Sequence, residues 1–216
     1  MTVDSTRTFY DDNAEEYFIK TYNIDLTHQY ERFLNYLIPS GHIMDLGCGS
    51  GRDSNYFIQH NYYVDALDSS KKLCELVNKR LGIEPINCRI QDWNPDKKYD
   101  GIWACASLLH FNTAEFEMFL ERLPSYLNVY GVLFASVKSG IPTGFSDDGR
   151  FYQNYSEDSI KNTINKYSAL RLKELWFSND SLERDSFRWM NLIIMNIPPE
   201  GGKIHERSLP NNIKRK

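Results

Sequence analysis

Residues 43 to 51 run Ile-Met-Asp-Leu-Gly-Cys-Gly-Ser-Gly, an apolar stretch that ends in a carboxylate and then sets glycine at every second position. The pattern predicts a strand feeding a backbone turn that touches a ligand. Gly47, Gly49 and Gly51 can take positive φ, and without a Cβ they let the main chain lie against a nucleoside-like molecule. A dinucleotide fingerprint, G-x-G-x-x-G, aims a helix N-terminus at pyrophosphate. Here Arg52 stands where the third glycine would be, and Asp45 is an acid that repels phosphate and suits a cationic ligand. A glycine-rich strand-to-helix turn without a ligand is the plain alternative.

A second acid, Asp68, follows at the end of the next apolar run, before Ser69 and Ser70. A carboxylate there can accept hydrogen bonds from both hydroxyls of a ribose. It can also serve only as an acid at a helix N-terminus, favoured by the helix dipole.

These residues need a scaffold, and the periodicities supply one. Tyr10, Ala14, Tyr17 and Phe18, then Tyr30, Phe33, Leu34, Leu37 and Ile38, repeat the helical period, so two amphipathic helices are expected before the first strand. Strands are expected at 42–46, 62–67, 86–90, 101–106, 131–137, 172–177 and 187–194. Between them fall helices opened by Arg52, Ser70, Asn112 and Ser156, with Asn112 and Glu115 spaced as a capping box. The fold class is α/β: a doubly wound, Rossmann-like seven-stranded sheet, mostly parallel with a terminal antiparallel hairpin, and helices on both faces. Ligands in such sheets bind at the carboxyl ends of the strands.

The pattern D-x-G-x-G-x-G over residues 45–51 resembles motif I of the class I S-adenosylmethionine-dependent methyltransferases. The resemblance implies S-adenosyl-L-methionine as cofactor, with its sulfonium and ammonium, and S-adenosyl-L-homocysteine as product. It also places Asp45, Gly47, Cys48, Gly49, Asp68 and Ser69 at the cofactor, and puts adenine beside Gln91, Asp92 and Trp93. Trp93 has a core reading too, and the Asp92 turn runs into Asn94-Pro95. Residues 99–111, Tyr-Asp-Gly-Ile-Trp-Ala-Cys-Ala-Ser-Leu-Leu-His-Phe, resemble the fourth strand of the small-molecule, tellurite-resistance-like branch, which implies that Cys105 and Ala106 lie under the cofactor. The strings Phe9-Tyr10-Asp11 and Asn13-Ala14-Glu15-Glu16-Tyr17 resemble that family's N-terminal lid. From it Tyr17 and Thr21 can bond the cofactor's carboxylate, with an aromatic face near the sulfonium, and Arg52 can pair with the same carboxylate. A helix that merely covers the sheet accounts for the aromatic residues equally.

Methyl transfer is an in-line displacement, so alignment supplies most of the catalysis. Where the acceptor carries a proton, His110 at the mouth of the fourth strand is the candidate base, or else a polar residue bonded to a backbone carbonyl. Lys138, Arg150 and Tyr152 flank a long loop after the fifth strand and are the candidate acceptor contacts.

The 216 residues fit one large domain, divided into an N-terminal helical lid at 1–41, a core at 42–197 and a mobile polar tail at 198–216. The net charge of -4 argues against a nucleic-acid face, and no apolar run approaches the length of a membrane span. With no signal-peptide pattern at Met1–Thr8, a cytoplasmic protein is expected. Cys48, Cys74, Cys88 and Cys105 form no C-x-x-C pair and the five histidines no ligand cluster, so no metal is expected. The reading is a methyltransferase acting on a small chalcogen oxyanion, thiol or hydroxyl. Its alternatives are tRNA or protein methylation and a non-catalytic cofactor-binding protein; any protein partner is left unspecified.

Overall fold

The computed structural model describes residues 3–180 and 187–198. The helices are α1 (Val3–Asp12), α2 (Ala14–Thr21), α3 (Thr27–Leu34), α4 (Arg52–Gln59), α5 (Lys71–Leu81), α6 (Thr113–Tyr126) and α7 (Glu157–Ile164). The strands are β1 (His42–Leu46), β2 (Tyr63–Asp68), β3 (Ile86–Asn87), β4 (Tyr99–Cys105), β5 (Leu127–Ser139), β6 (Gly144–Phe145), β7 (Phe151–Tyr152), β8 (Leu170–Ser178) and β9 (Arg188–Asn196). Seven of them form one sheet in the order β3-β2-β1-β4-β5-β9-β8, and β6 pairs with β7 in a two-residue hairpin. Strands β1 to β5 of the large sheet pair in parallel, and β9 joins antiparallel to both β5 and β8. The expected fold class is therefore observed, terminal hairpin included.

The central strands are apolar on both faces because both are covered. Alternation sends Ile43, Trp103, Phe134 and Ile193 to one side, where α3 and α4 bring Tyr30, Phe33 and Phe57. Met44, Ile102, Leu133 and Ile194 point to the other, against Phe116 and Leu120 of α6 and Ile160 and Ile164 of α7. Among the described residues no helix is long and apolar enough to cross a membrane.

Three details depart from expectation. The first expected helix is broken at Asn13 (φ -111°, ψ 20°), whose side-chain Nδ2 donates to Phe9 O at 2.8 Å, so three helices precede β1. Strand β3 is only two residues long and gives way to a 3₁₀ turn at Ile90–Asp92, while Asn87 Nδ2 donates to the carbonyls of Asp68 and Ser69. Strand β5 starts four residues early, and its long following loop holds the β6-β7 hairpin. The capping box is present, with Glu115 N donating to Asn112 Oδ1 at 3.0 Å and Asn112 N to Glu115 Oε2 at 2.9 Å. Residues 199–216, most of the expected tail, lie outside the described residues.

Candidate active site

Two glycines at the end of β1 shape the site. Gly47 (φ 77°) and Gly49 (φ 54°) sit in left-handed backbone that disfavours side chains. A Cβ on Gly49 would lie 3.0 Å from Tyr17 Cε1, and one on Gly47 only 2.6 Å from Ser107 Cβ. The turn is fixed from β2: Asp68 Oδ2 accepts from Gly49 N at 2.9 Å, and Oδ1 from Ser70 N at 2.8 Å. Burial raises the Asp68 pKa above the ordinary carboxylate value, partly opposed by those two amides. Ser70 Oγ caps α5 by accepting from Leu73 N at 3.1 Å.

Two cavities open on this turn. The first, about 510 Å³, runs from Gly47 and Gly49 past Asp68 and Ser69 to Leu73, Ile90 and Gln91. The second, about 330 Å³, runs from the same glycines past Cys48, Thr21, Arg52 and Cys105 to Lys138, Arg150 and Tyr152. Tyr10, Tyr17, Ala106 and His110 line both, so the two are halves of one cleft at the carboxyl ends of β1, β2, β4 and β5. Each volume lies within the range of small-molecule sites.

The cleft thus brings together most of the residues expected to contact a cofactor, and leaves three out. Asp45 lines neither cavity: it is 1% exposed and accepts from Ser54 Oγ at 2.6 Å, below the turn. Burial, reinforced by the charge of Asp53, raises its pKa, so the expected fixed charge beside the ligand is instead a buried tie from β1 to α4. Trp93 belongs to the core, with ring centroids 4.9 Å from Tyr126 and 5.9 Å from Tyr99. Asp92 is exposed, 3.9 Å from Arg89, and it is Arg89, Ile90 and Gln91 that face the cavity. These residues lie at or beside the 3₁₀ turn that takes the place of the end of the expected strand.

Arg52 lines the second cavity but is engaged with its neighbour: Nε is 2.6 Å from Asp53 Oδ1 and Nη2 3.0 Å from Oδ2, with Nη1 donating to Thr21 O at 3.2 Å. Burial works against the charge on Arg52, and Asp53 outweighs it. Asp53 also accepts from Tyr30 Oη and from Trp103 Nε1 at 2.8 Å, which makes it a buried hub that sequence spacing did not single out. Thr21 Oγ1 donates to Tyr17 O at 2.8 Å.

On the other side of the cleft, Lys138 Nζ lies 4.1 Å from the Tyr152 ring centroid and Arg150 Cζ 4.1 Å from that of Phe9. Arg150 Nη2 pairs with Asp148 Oδ2 at 2.6 Å. His110 does not present a bare nitrogen to the cleft. Its Nδ1 is 2.6 Å from Phe151 O and its Nε2 3.0 Å from Tyr10 Oη, and burial pushes its pKa down to about 4. Helix α1 carries Tyr10 across the cleft and is held at both sides: Ser5 Oγ donates to Gly149 O at 2.7 Å, Phe151 N to Thr6 Oγ1 at 2.9 Å, and Ser70 Oγ to Asp11 Oδ1 at 2.7 Å.

Ser107 belongs to the site without any spacing signal in the sequence. Its Oγ is buried without a protein partner among the described residues, yet the residue lines the first cavity, where a ligand could satisfy it. The Asp68 carboxylate and the bare glycine turn likewise fit a ribose diol and the ligand attached to it, with Leu73 and Ile90 as apolar flanks for a base.

A family of proteins described as "Methyltransferase domain" matches residues 43–131. Malonyl-[acyl-carrier protein] O-methyltransferase 1 of Ilyobacter polytropus is 30% identical over 97 residues, covering 42% of this chain and 33% of that protein. The probable S-adenosyl-L-methionine-dependent methyltransferase TehB of Haemophilus influenzae is 26% identical over 168 residues, 74% of this chain and 57% of its own length. The chain therefore spans a third to a little over half of these relatives. Among solved structures, the Burkholderia thailandensis 1,6-didemethyltoxoflavin-N1-methyltransferase superposes with a TM-score of 0.74 at 14% identity, covering 90% of this chain and 88% of its own. TehB from Haemophilus influenzae superposes with a TM-score of 0.65 at 19% identity, covering 86% and 67%.

Proposed function

We propose that this chain is a class I S-adenosylmethionine-dependent methyltransferase that binds S-adenosyl-L-methionine in its cleft and methylates a small-molecule nucleophile in the cytoplasm. The observation that carries the reading is the Asp68 carboxylate, clamped to the Gly49 and Ser70 amides and still lining the cavity beside two glycines where a Cβ would crowd Ser107 or Tyr17. Each carboxylate oxygen keeps a lone pair for a ribose hydroxyl. Gln91 and Ile90 then flank the base, and Gly47, Cys48, Tyr17 and Thr21 surround the amino-acid end. When bound, the cofactor supplies an electrophilic methyl group on a sulfonium.

The chain's own work is alignment and exclusion of water. Ala106, at φ 56°, bends the chain after β4 and offers a small side chain where both cavities meet. Its amide donates to Ser136 Oγ at 2.9 Å, which holds that bend against β5. Lys138, Arg150 and Tyr152 form the acceptor wall. The helix α1 lying across the cleft favours a small acceptor, a hydroxyl, thiol or oxyanion, over a tRNA or protein chain. The test is calorimetric titration with S-adenosylmethionine and its product, followed by a screen for S-adenosylhomocysteine release against thiols, oxyanions, phenols, amines and bulk tRNA. Binding without turnover on any of them would favour a non-catalytic role, and preference for NAD would overturn the reading.

A further inference from the structure

His110 and Tyr10 are a hundred residues apart in the chain and meet at the junction of the two cavities. The direction of their hydrogen bond follows from the third partner. Phe151 O, 2.6 Å from Nδ1, is a carbonyl and can only accept, so Nδ1 carries a proton. In a neutral imidazole the other nitrogen is then an acceptor, and Tyr10 Oη, 3.0 Å away, must donate to Nε2. The tyrosine oxygen also accepts from the Arg150 guanidinium, which leaves it one lone pair, on a side chain that lines both halves of the cleft.

Resting on the methyl-transfer reading, we infer that Tyr10 and His110 form a two-group proton relay, with the Tyr10 hydroxyl as the catalytic group that touches the acceptor and His110 as the positioning residue that receives the proton. It follows that the acceptor is a nucleophile delivered with its proton on, such as a phenol or other hydroxyl, rather than an oxyanion that is already ionised and needs no base.

The step balances. The acceptor's X–H proton passes to Tyr10 Oη while the phenolic proton passes to His110 Nε2, and the X–H electron pair stays on X. That atom bonds the methyl carbon as the carbon–sulfur pair remains on sulfur. One positive charge leaves the sulfonium and one appears on the imidazolium, so the cleft's net charge is unchanged.

The surroundings suit this exchange. Tyr10 from α1, Arg150 and Asp148 from the β6-β7 hairpin, Lys138 from β5 and Tyr152 from β7 face the imidazole. Burial, with Arg150 and Lys138 adding to it and Asp148 opposing, keeps His110 neutral, so Nε2 carries no proton of its own and accepts from Tyr10. A weak base is enough because the acceptor's proton becomes far more acidic as its atom bonds carbon. Once product leaves, the same burial returns the proton through Tyr10.

Two measurements on the full chain test the relay. Without any ligand, nitrogen-15 NMR of the histidines should show His110 as the neutral Nδ1–H tautomer, with an Nε2 shift that moves in Tyr10→Phe as its donor is lost. In turnover, phenols and thiophenols of graded acidity are the acceptor probes. Tyr10→Phe and His110→Gln should lower kcat about a hundredfold for phenols that are undissociated at the assay pH, and much less for thiophenols that are already ionised. KM and cofactor affinity should stay within about twofold. An Nε2–H tautomer, equal losses across the series, or a wild-type protein that methylates oxyanions and no phenol would overturn the relay. A wild-type protein that fails to bind S-adenosylmethionine would instead overturn the methyltransferase reading on which it rests.

Discussion

Asp68 Oδ2 accepts the Gly49 amide at 2.9 Å, and this one bond ties the end of β2 to the turn after β1. A carboxylate in this position has two duties: it shapes the backbone that would hold the cofactor, and it faces the cavity that the backbone shapes. Nineteen residues separate the partners, so the contact exists only once the two parallel strands are in register.

Replacing Asp68 by Ala should therefore lower affinity for S-adenosylmethionine about tenfold or more, because charge-assisted bonds to the ribose are lost. It should also destabilise the fold by about 1 to 3 kcal/mol, since the Gly49 and Ser70 amides lose their acceptor. Titration calorimetry and denaturant melts separate the two effects. A folded Asp68→Ala protein with unchanged affinity would remove the ribose assignment.

Gly49→Ala should weaken cofactor binding more than strain alone accounts for. The new methyl group would stand 3.0 Å from Tyr17 Cε1 and push the ring over the cleft. Gly82→Ala is the matched control, since Gly82 has φ 67° and open space around its Cβ position. Both variants should lose about 1 to 2 kcal/mol of stability from left-handed backbone. Only Gly49→Ala should lose cofactor affinity, read by calorimetry.

His110 predicts an acid sensitivity. Burial pushes its folded pKa down to about 4, below the ordinary value of 6.5, so between those limits the unfolded chain binds a proton that the folded chain refuses. Its contribution is neutral above pH 6.5, and stability falls as pH drops from 6.5 towards 4, by up to about 3 kcal/mol from this group. Urea midpoints at pH 7, 5.5 and 4.5 should converge between wild type and His110→Gln as pH falls. Parallel curves would show that the imidazole titrates normally.

Arg150→Ala should raise KM for the acceptor or lower kcat by about tenfold while leaving cofactor affinity intact. The guanidinium stacks on Phe9 and pairs with Asp148 in the second cavity, on the proposed acceptor side and away from Asp68. Steady-state kinetics on whichever acceptor the release screen identifies, set beside calorimetry, reads the split. Wild-type kinetics would exclude Arg150 from acceptor contact.

The strands and most helices were legible because their signals are local. Ser70, Asn112 and Ser156 announce helix starts by side-chain chemistry, and the structure uses all three. The acid-glycine spacing at 45–51 located the cleft for the same reason. What was not legible depends on which way a side chain turns. Asp45 and Asp68 look alike as strand-end acids, yet one is drawn under the turn by Ser54 and the other up to Gly49. Trp93 follows a strand that stops short, and the turn there delivers the ring to Tyr126 and not to the cavity. The meeting of Tyr10 with His110, and the orphaned Ser107 hydroxyl, are products of packing between distant segments and carry no spacing signature.

The placement of β9 bears on how the sheet is completed. It lies between β5 and β8, with antiparallel partners on both sides, although it is the last of the described strands in chain order. The β5 edge therefore stays without a partner until residues 188–196 take their place beside it. The apolar row Leu192, Ile193 and Ile194 then seals both layers at once. Without residues 188–196, β5 has no partner on that side and β8 has no strand through which to join the sheet, so one segment decides whether the barrier between core and solvent closes there.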